Sequence, residues 1–486
     1  MKKNLLAVVV MCAVLLGLSL GLYLLREDPA PPPELDGPTP VSYLFRYERP
    51  PLSVQITKPG GEEHTLLRLD YDPTRNLVTD ATIPELEGLP LDTGMVNAVL
   101  SASRNLTYLE LVTRETTNLA QFGLAEPRAI VSLDFEGLGV RTIRIGDVAP
   151  GNIGVYIQLE ASGTVYLTPI HGLDNFLLSP YDFLVMDVTP IIGWPPDFDS
   201  IALAGQVRQD TGEVLIAHDA DGDLQLLLPF EHELSPLYAP GMLHSPFGIV
   251  AMGVALTHPT GEDFETLGLY PAWSTLTVES REHGSFTVHA SRPDEGGMVF
   301  LYREGVPVVY TAFSHSLYWL EAQFHHLMSP FAVSPLLEDL AMIDVIAGRR
   351  HAFAIEGAGD ELAVFAGEQP LDADNFRRFF TTLTSATLEF LEEQPTELGE
   401  PVARLHYFYR DGAQSFVHFY ASQVPLRHYI RVGEGPSWPD RTIPDATLRH
   451  SIPVSEAPVF LTPSAHLERI LEDVHKVALG EHVYAH

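Results

Sequence analysis

The run Asp219-Ala220-Asp221-Gly222-Asp223 sets three carboxylates at alternate positions around a glycine. Hard cations such as calcium take oxygen ligands from runs of this kind. An EF-hand also requires a bidentate Glu at its twelfth position, which counted from Asp219 is Phe230. The run also falls where a hairpin turn is expected. Asp219, Asp221 and Asp223 are therefore the metal candidates of the sequence, with turn formation as their competing role. Among 20 histidines, Glu231-His232-Glu233 and His325-His326 stand in suggestive company. No His-Glu-x-x-His occurs, which removes the usual zinc-hydrolase helix. His171 and His315 follow Tyr166 and Tyr310 at the same spacing, and His466 follows Phe460 one residue out of register; helix-start capping is the expected role. There is no Gly-x-Ser-x-Gly elbow and no Walker A loop. No catalytic or cofactor-binding residue is assigned and no cofactor is expected, so the reading is of a protein that is not an enzyme.

Charge and composition narrow the classes further. The chain has 486 residues, a net charge of −35, 45% hydrophobic and 19% charged residues. It is a globular body with real cores, and its surface repels nucleic acid and anionic headgroups. Lysine occurs only as Lys2, Lys3, Lys58 and Lys476, and cysteine only as Cys12. The body therefore lacks disulfides, Cys-bound zinc and thiol catalysis.

Two segments precede the body. From Leu5 to Leu25 the chain is uncharged and apolar, long enough as a helix for the roughly 30 Å hydrocarbon core of a bilayer. Lys2 and Lys3 before it outnumber Arg26 after it, and this Lys/Arg bias puts the N-terminus in the cytoplasm and the body outside. The run exceeds the ~7–15 residues of a cleaved signal and lacks an A-x-A-like site, so an uncleaved single-pass anchor is expected. Residues 28–40 hold six prolines, which read as a stiff, extended spacer.

The body repeats with a period of about 145 residues. Val188-Thr189-Pro190 recurs as Val333-Ser334-Pro335, and Phe122-Gly123-Leu124 with Pro127 as Leu267-Gly268-Leu269 with Pro271. Leu398-Gly399 with Pro401 marks a third, more divergent copy. The expected organisation is 1–27 cytoplasmic tip and anchor, 28–44 linker, and repeat units over 45–190, 191–335 and 336–486. Each unit should open with a hairpin. The strand pairs are 53–57 with 65–69, 214–217 with 224–228, and 352–356 with 362–365, each around glycines. A helix follows, capped by Asp92 (or Thr93) in the first unit and by Asp372 in the third. More strands come next, and a closing helix contains Leu173, Phe176 and Leu177. The expected fold class is α+β: one N-terminal transmembrane helix, then three similar α+β units with antiparallel sheets.

An ordered set of short motifs carries a family resemblance. It comprises Ile56-Thr57-Lys58 with Gly60-Gly61, Leu119 to Pro127, Ile145-Gly146-Asp147, Gly154 to Ile157 and Val165-Tyr166-Leu167. Together these resemble the bacterial "domain of unknown function 4340" family, over about 45–190 and less closely over 191–335 and 336–486. The resemblance implies a membrane-anchored, extracytoplasmic protein that accompanies ABC-transport systems of the gliding-motility type, with no established catalytic residues. Its partners would be the membrane, through Leu5 to Leu25, and ABC permease and ATPase subunits. Repeated domains suit an extended binding surface better than one catalytic centre. The expected function is an accessory or binding protein, with an extracytoplasmic cell-wall hydrolase or a calcium-dependent adhesin as the alternatives.

Overall fold

The computed structural model describes residues 42–484 apart from 117, 160–162, 194–196, 219–221, 283 and 435–457. The chain divides into two compact units, Met1–Val185 and Met186–His486. All strand pairing in both is antiparallel, in four sheets.

In unit 1, β1 (Ser42–Arg46) pairs with β5 (Asn105–Tyr108) as a separate ribbon. The first large sheet uses β2 (Ser53–Thr57), β3 (Glu63–Asp72), β4 (Leu77–Thr82), β6 (Glu110–Thr113), β7 (Ala129–Phe135), β8 (Gly139–Val148), β9 (Val155–Leu159) and β10 (Thr164–Thr168). Its spatial order is β4-β3-β2-β7-β8-β9-β10-β6. The chain thus meanders outward from a central β2, crosses over, restarts at β7 beside β2 and meanders the other way to meet β6. Strict alternation drives this: in β7 Ala129, Val131, Leu133 and Phe135 are buried while the residues between are not. Helix α1 (Thr93–Ala102) covers the crossover. Asp92 caps it, its Oδ1 accepting from the Met95 N–H at 2.9 Å, and Val96, Val99 and Leu100 face the core.

Unit 2 holds two sheets of the same plan. The second sheet is built from β11 (Ser200–Ala204), β12 (Val214–His218), β13 (Leu224–Leu228), β14 (His232–Glu233), β15 (Gly253–Thr257), β16 (Ser274–Glu279), β17 (Phe286–Ala290), β18 (Met298–Arg303) and β19 (Val308–Phe313). Its order is β14-β13-β12-β11-β16-β17-β18-β19-β15. The third takes β20 (Leu340–Ala347), β21 (Arg349–Glu356), β22 (Ala363–Ala366), β23 (Gln369–Leu371), β24 (Ala403–Tyr409), β25 (Gln414–Tyr420), β26 (Arg427–Glu434) and β27 (Phe460–Pro463), in the order β23-β22-β21-β20-β24-β25-β26-β27. The far-edge role of β6 and β15 falls here to Glu389, which exchanges two 2.8 Å backbone hydrogen bonds with Leu461. The crossovers carry α2 (Ala239–His244) in the second sheet and α5 (Ala373–Thr384) in the third, the latter capped by Asp372, whose Oδ1 accepts from the Asn375 N–H at 2.7 Å. Phe376 and Phe379 of α5 pack on Phe353 of β21. Burying each ring contributes up to about 3 kcal/mol. The remaining helices are α3 (Gly261–Thr266), α4 (Phe324–Leu327) and α6 (Ser464–Ala478).

Three expectations need correction: the fold class, the closing helix and the hairpin equivalence. The fold is mostly β rather than α+β: the described residues form 27 strands, against six α-helices of which only α1, α5 and α6 reach ten residues. The closing helix over Leu173 to Leu177 is a series of 3-10 turns, because Pro169, Gly172 and Pro180 interrupt any longer run. The anchor expected from Leu5 to Leu25 lies outside the described residues, and no helix among the described residues is long and apolar enough to cross a membrane. The hairpin equivalence also shifts by one strand. The counterparts of β2 are β11 and β20, because a further strand precedes the 214–217 and 352–356 segments.

Candidate functional site

An apolar cleft of unit 2 is built where the second sheet's closing segment meets the third sheet. Backbone bridges hold its walls. Ser235 N–H donates to Leu327 O at 2.7 Å, Leu388 N–H to Pro330 O at 2.8 Å, and Ala332 N–H to Ala386 O at 2.8 Å. Between these ties lies an open cleft of 830 Å³, within the usual range for small-molecule or peptide sites.

Its floor is aromatic. Phe324 on α4 meets Phe390 edge-on with centroids 5.5 Å apart and Phe460 at 6.5 Å. His325 lies flat on Phe390, 4.0 Å away with planes 5° apart. Burial and the adjacent His326 pull the His325 pKa down to about 4, so the ring is neutral at pH 7. His326 Nδ1 accepts from the Gln323 N–H at 3.3 Å, which fixes its orientation at the start of α4. The rim exposes large apolar side chains, with Leu237 at 73%, Tyr238 at 67% and Tyr318 at 70%. Glu321 and Ser235 are the other polar lining groups. The arrangement can bury an apolar or aromatic group; it brings no nucleophile against a base.

A second cleft of 570 Å³ is acidic, lined by Glu231, Glu233 and Glu434 with Tyr409 and Ser415. Burial and Glu231 raise the Glu434 carboxyl above the usual carboxylate range. Burial, with Glu233 and Glu434 acting on it, raises the Tyr409 phenol. His232 is pulled low by burial while its Nε2 contacts Ser329 O at 3.1 Å.

Asp219 and Asp221 lie outside the described residues, and Asp223 is exposed just before β13. Among the described residues no group of three or more His, Cys, Asp or Glu side chains could hold a metal ion. His171 and His315 occupy equivalent 3-10 turns directly after β10 and β19. His171 is exposed beside Asp174 at 3.6 Å, and His315 stacks on Phe313. Neither accepts or donates a capping bond there. His466 sits in the first turn of α6, its pKa lowered by burial and Arg469. Sequence reasoning singled out His325-His326 but missed the cleft around them, whose other walls come from segments up to 225 residues apart, from Ser235 to Phe460.

Residues 82–235 match the family described as "Domain of unknown function (DUF4340)". The match begins at the end of β4 and ends just after β14. It therefore takes in the second half of the first sheet and the first half of the second. No curated protein and no solved structure matches the chain.

Proposed function

We propose, from a chain that belongs over residues 82–235 to the domain of unknown function 4340 family, that this is a membrane-tethered extracytoplasmic binding protein without catalysis of its own. Its role is auxiliary to an ABC-type transport system, and the aromatic cleft of unit 2 receives an apolar segment of a transport subunit. The observation that carries this reading is the cleft itself, 830 Å³ with Leu237, Tyr238 and Tyr318 exposed around its mouth. Exposed aromatic and leucine side chains beside a concave apolar floor are the usual anchors of a protein interface. The apolar stretch of residues 5–25 supports attachment to a membrane.

Crosslinking in intact native membranes, followed by purification through a C-terminal tag and mass spectrometry, tests this. The expected result is near-stoichiometric recovery of permease and ATPase subunits, with crosslinks mapping to 235–242 and 318–330. Recovery that is unchanged in a Leu237→Glu, Tyr318→Glu double variant would remove the cleft from the reading. Recovery of the chain alone would remove the transporter.

The acidic cleft favours a second reading, hydrolysis of wall glycan, because burial and Glu231 raise the Glu434 carboxyl above the usual carboxylate range, the direction a general acid needs. Labelled peptidoglycan incubated with the purified chain decides it: turnover lost in Glu434→Gln supports the hydrolase, and no turnover disposes of it.

A further inference from the structure

One face of the third sheet carries cations in a row. Across β24, β25 and β26 the register pairs Arg404 with His418 and His418 with Arg431. Directly paired residues project from the same face about 4.5–5.5 Å apart. Arg404, His418 and Arg431 therefore stand side by side, in a chain with 29 basic residues against 64 acidic ones. In the adjoining row Asp344 pairs with His406. His406 Nε2 and His418 Nε2 meet at 3.0 Å.

The countercharges do not match this row. Arg350 takes the buried Asp344, with Nε 2.7 and 3.0 Å from its two oxygens. Arg404 holds Glu400 at 3.1 Å, but that carboxylate is 94% exposed and solvent-screened. Arg431 forms no ion pair among the described residues, and its Nε is buried without an acceptor. His418 is 6% exposed, and its Nδ1 is likewise buried without a partner. Burial, His406, Arg404 and Arg431 together pull His418 down to about 3, so it is neutral and local potential is positive. That potential argues against a metal at the His406–His418 contact, since a divalent cation would meet the same arginines. A buried guanidinium nitrogen without an acceptor is costly, and an anion is the group that relieves it.

We propose that the Arg404–His418–Arg431 row is a binding site for a small oxyanion, a carboxylate or a phosphate group. Arg431 and Arg404 flank the anion as charge-assisted donors. With His406 donating through Nε2, His418 carries its own proton on Nδ1 and adds a third donor. None of Arg404, His418 and Arg431 lines either cleft, and the site does not depend on the function proposed above.

Thermal unfolding of the full chain, titrated with sodium phosphate or sodium acetate against sodium chloride at equal ionic strength, tests it. A saturable rise in the midpoint with phosphate alone identifies a phosphate site, and one with acetate alone a carboxylate site; either supports the proposal. The half-saturating concentration should rise at least tenfold in Arg431→Gln and stay put in Arg377→Gln, whose guanidinium pairs with Asp374 on α5. Arg404→Gln, at a partly exposed position, replaces Arg431→Gln should the latter not fold. The His418 ring resonances should also move with the anion. No saturable rise over chloride with either anion, or an undiminished rise in the arginine variants, overturns it.

Discussion

The first and second sheets share a strand order but are locked by different residues. The turn between β2 and β3 is short and open, with nothing near the Cα of Gly60 or Gly61 and a half-exposed Lys58–Glu62 pair. The corresponding connection from β11 to β12 carries Arg208, which is 2% exposed. Its guanidinium donates to Ala322 O at 2.8 Å, Ala204 O at 2.9 Å, Ser274 Oγ at 2.9 Å and Trp319 O at 2.6 Å. A second position reverses sign. Near the end of β8 stands Asp147, whose carboxyl group lies against Gly123; just after β17 the equivalent residue is Arg292, which stacks over Trp273 at 5.1 Å beside a 380 Å³ cleft. Topology here follows from apolar alternation and crossover, which tolerate wide variation at the connections. The locks are local, so each unit can be loosened by itself.

Acid should separate the units most strongly. Unit 1 has one imidazole held low, His64, buried on β3 among Lys58, Glu62, Glu85 and Asp182. Among the described residues unit 2 has six: His232, His325, His326, His351, His418 and His466. A lowered folded pKa means the unfolded chain binds more protons below pH 6.5, so stability is full above that pH and falls as acid is added. Each such histidine can remove up to ~1.4 kcal/mol per pH unit in that window. All four tryptophans fall within 186–486, so tryptophan fluorescence reports unit 2 while far-UV circular dichroism reports both. Between pH 7 and pH 5 the fluorescence midpoint in urea should drop by several kcal/mol equivalent, and the remaining dichroism transition by much less. Equal drops would show that the histidines do not set the difference.

Arg208→Met is expected to rank next. It leaves three backbone carbonyls and the Ser274 hydroxyl without their donor, a loss of roughly 3–5 kcal/mol confined to the fluorescence transition. Lys58→Met at the matching connection of unit 1 should cost under about 0.5 kcal/mol. A small effect at Arg208 would mean that packing around Trp319 and Ala322, rather than the cation, closes that end of the sheet.

How much of this was legible in the sequence differs between strands and sites. Strands β2 and β13 keep the expected bounds, because each pairs a clean alternation with a nearby turn former. The Asp92 and Asp372 caps were equally readable, since a cap is chemistry within four residues. Strand β11 escaped notice: it is five residues long, and the connection after it is anchored by a buried arginine rather than a tight turn. The aromatic cleft depends on Tyr238, Tyr318, Phe390 and Phe460 being brought to one place through bridges such as Glu389 with Leu461, which no local pattern announces. The Arg404–His418–Arg431 row likewise exists only once the register of β24 to β26 is known.

The glycines that recur after an apolar residue, Gly123, Gly268 and Gly399, give the smallest but sharpest contrast. Gly123, Gly268 and Gly399 all hold φ near +67°, a left-handed conformation that costs alanine about 1–2 kcal/mol. Only at Gly123 is the added Cβ also blocked, by the Asp147 carboxyl group; at Gly268 the nearest atom is Ser291 Cβ at 3.8 Å, and at Gly399 nothing lies within 4 Å. Gly123→Ala should therefore cost about 2–4 kcal/mol, strain and displacement combined, in the dichroism transition alone. Gly268→Ala and Gly399→Ala should each cost about 1–2 kcal/mol and move the fluorescence transition instead. Adding Asp147→Ala to Gly123→Ala should recover the steric part and leave the conformational part. If the double variant is as unstable as the single one, the carboxyl group yields freely and the first sheet's turn is no tighter than the second's.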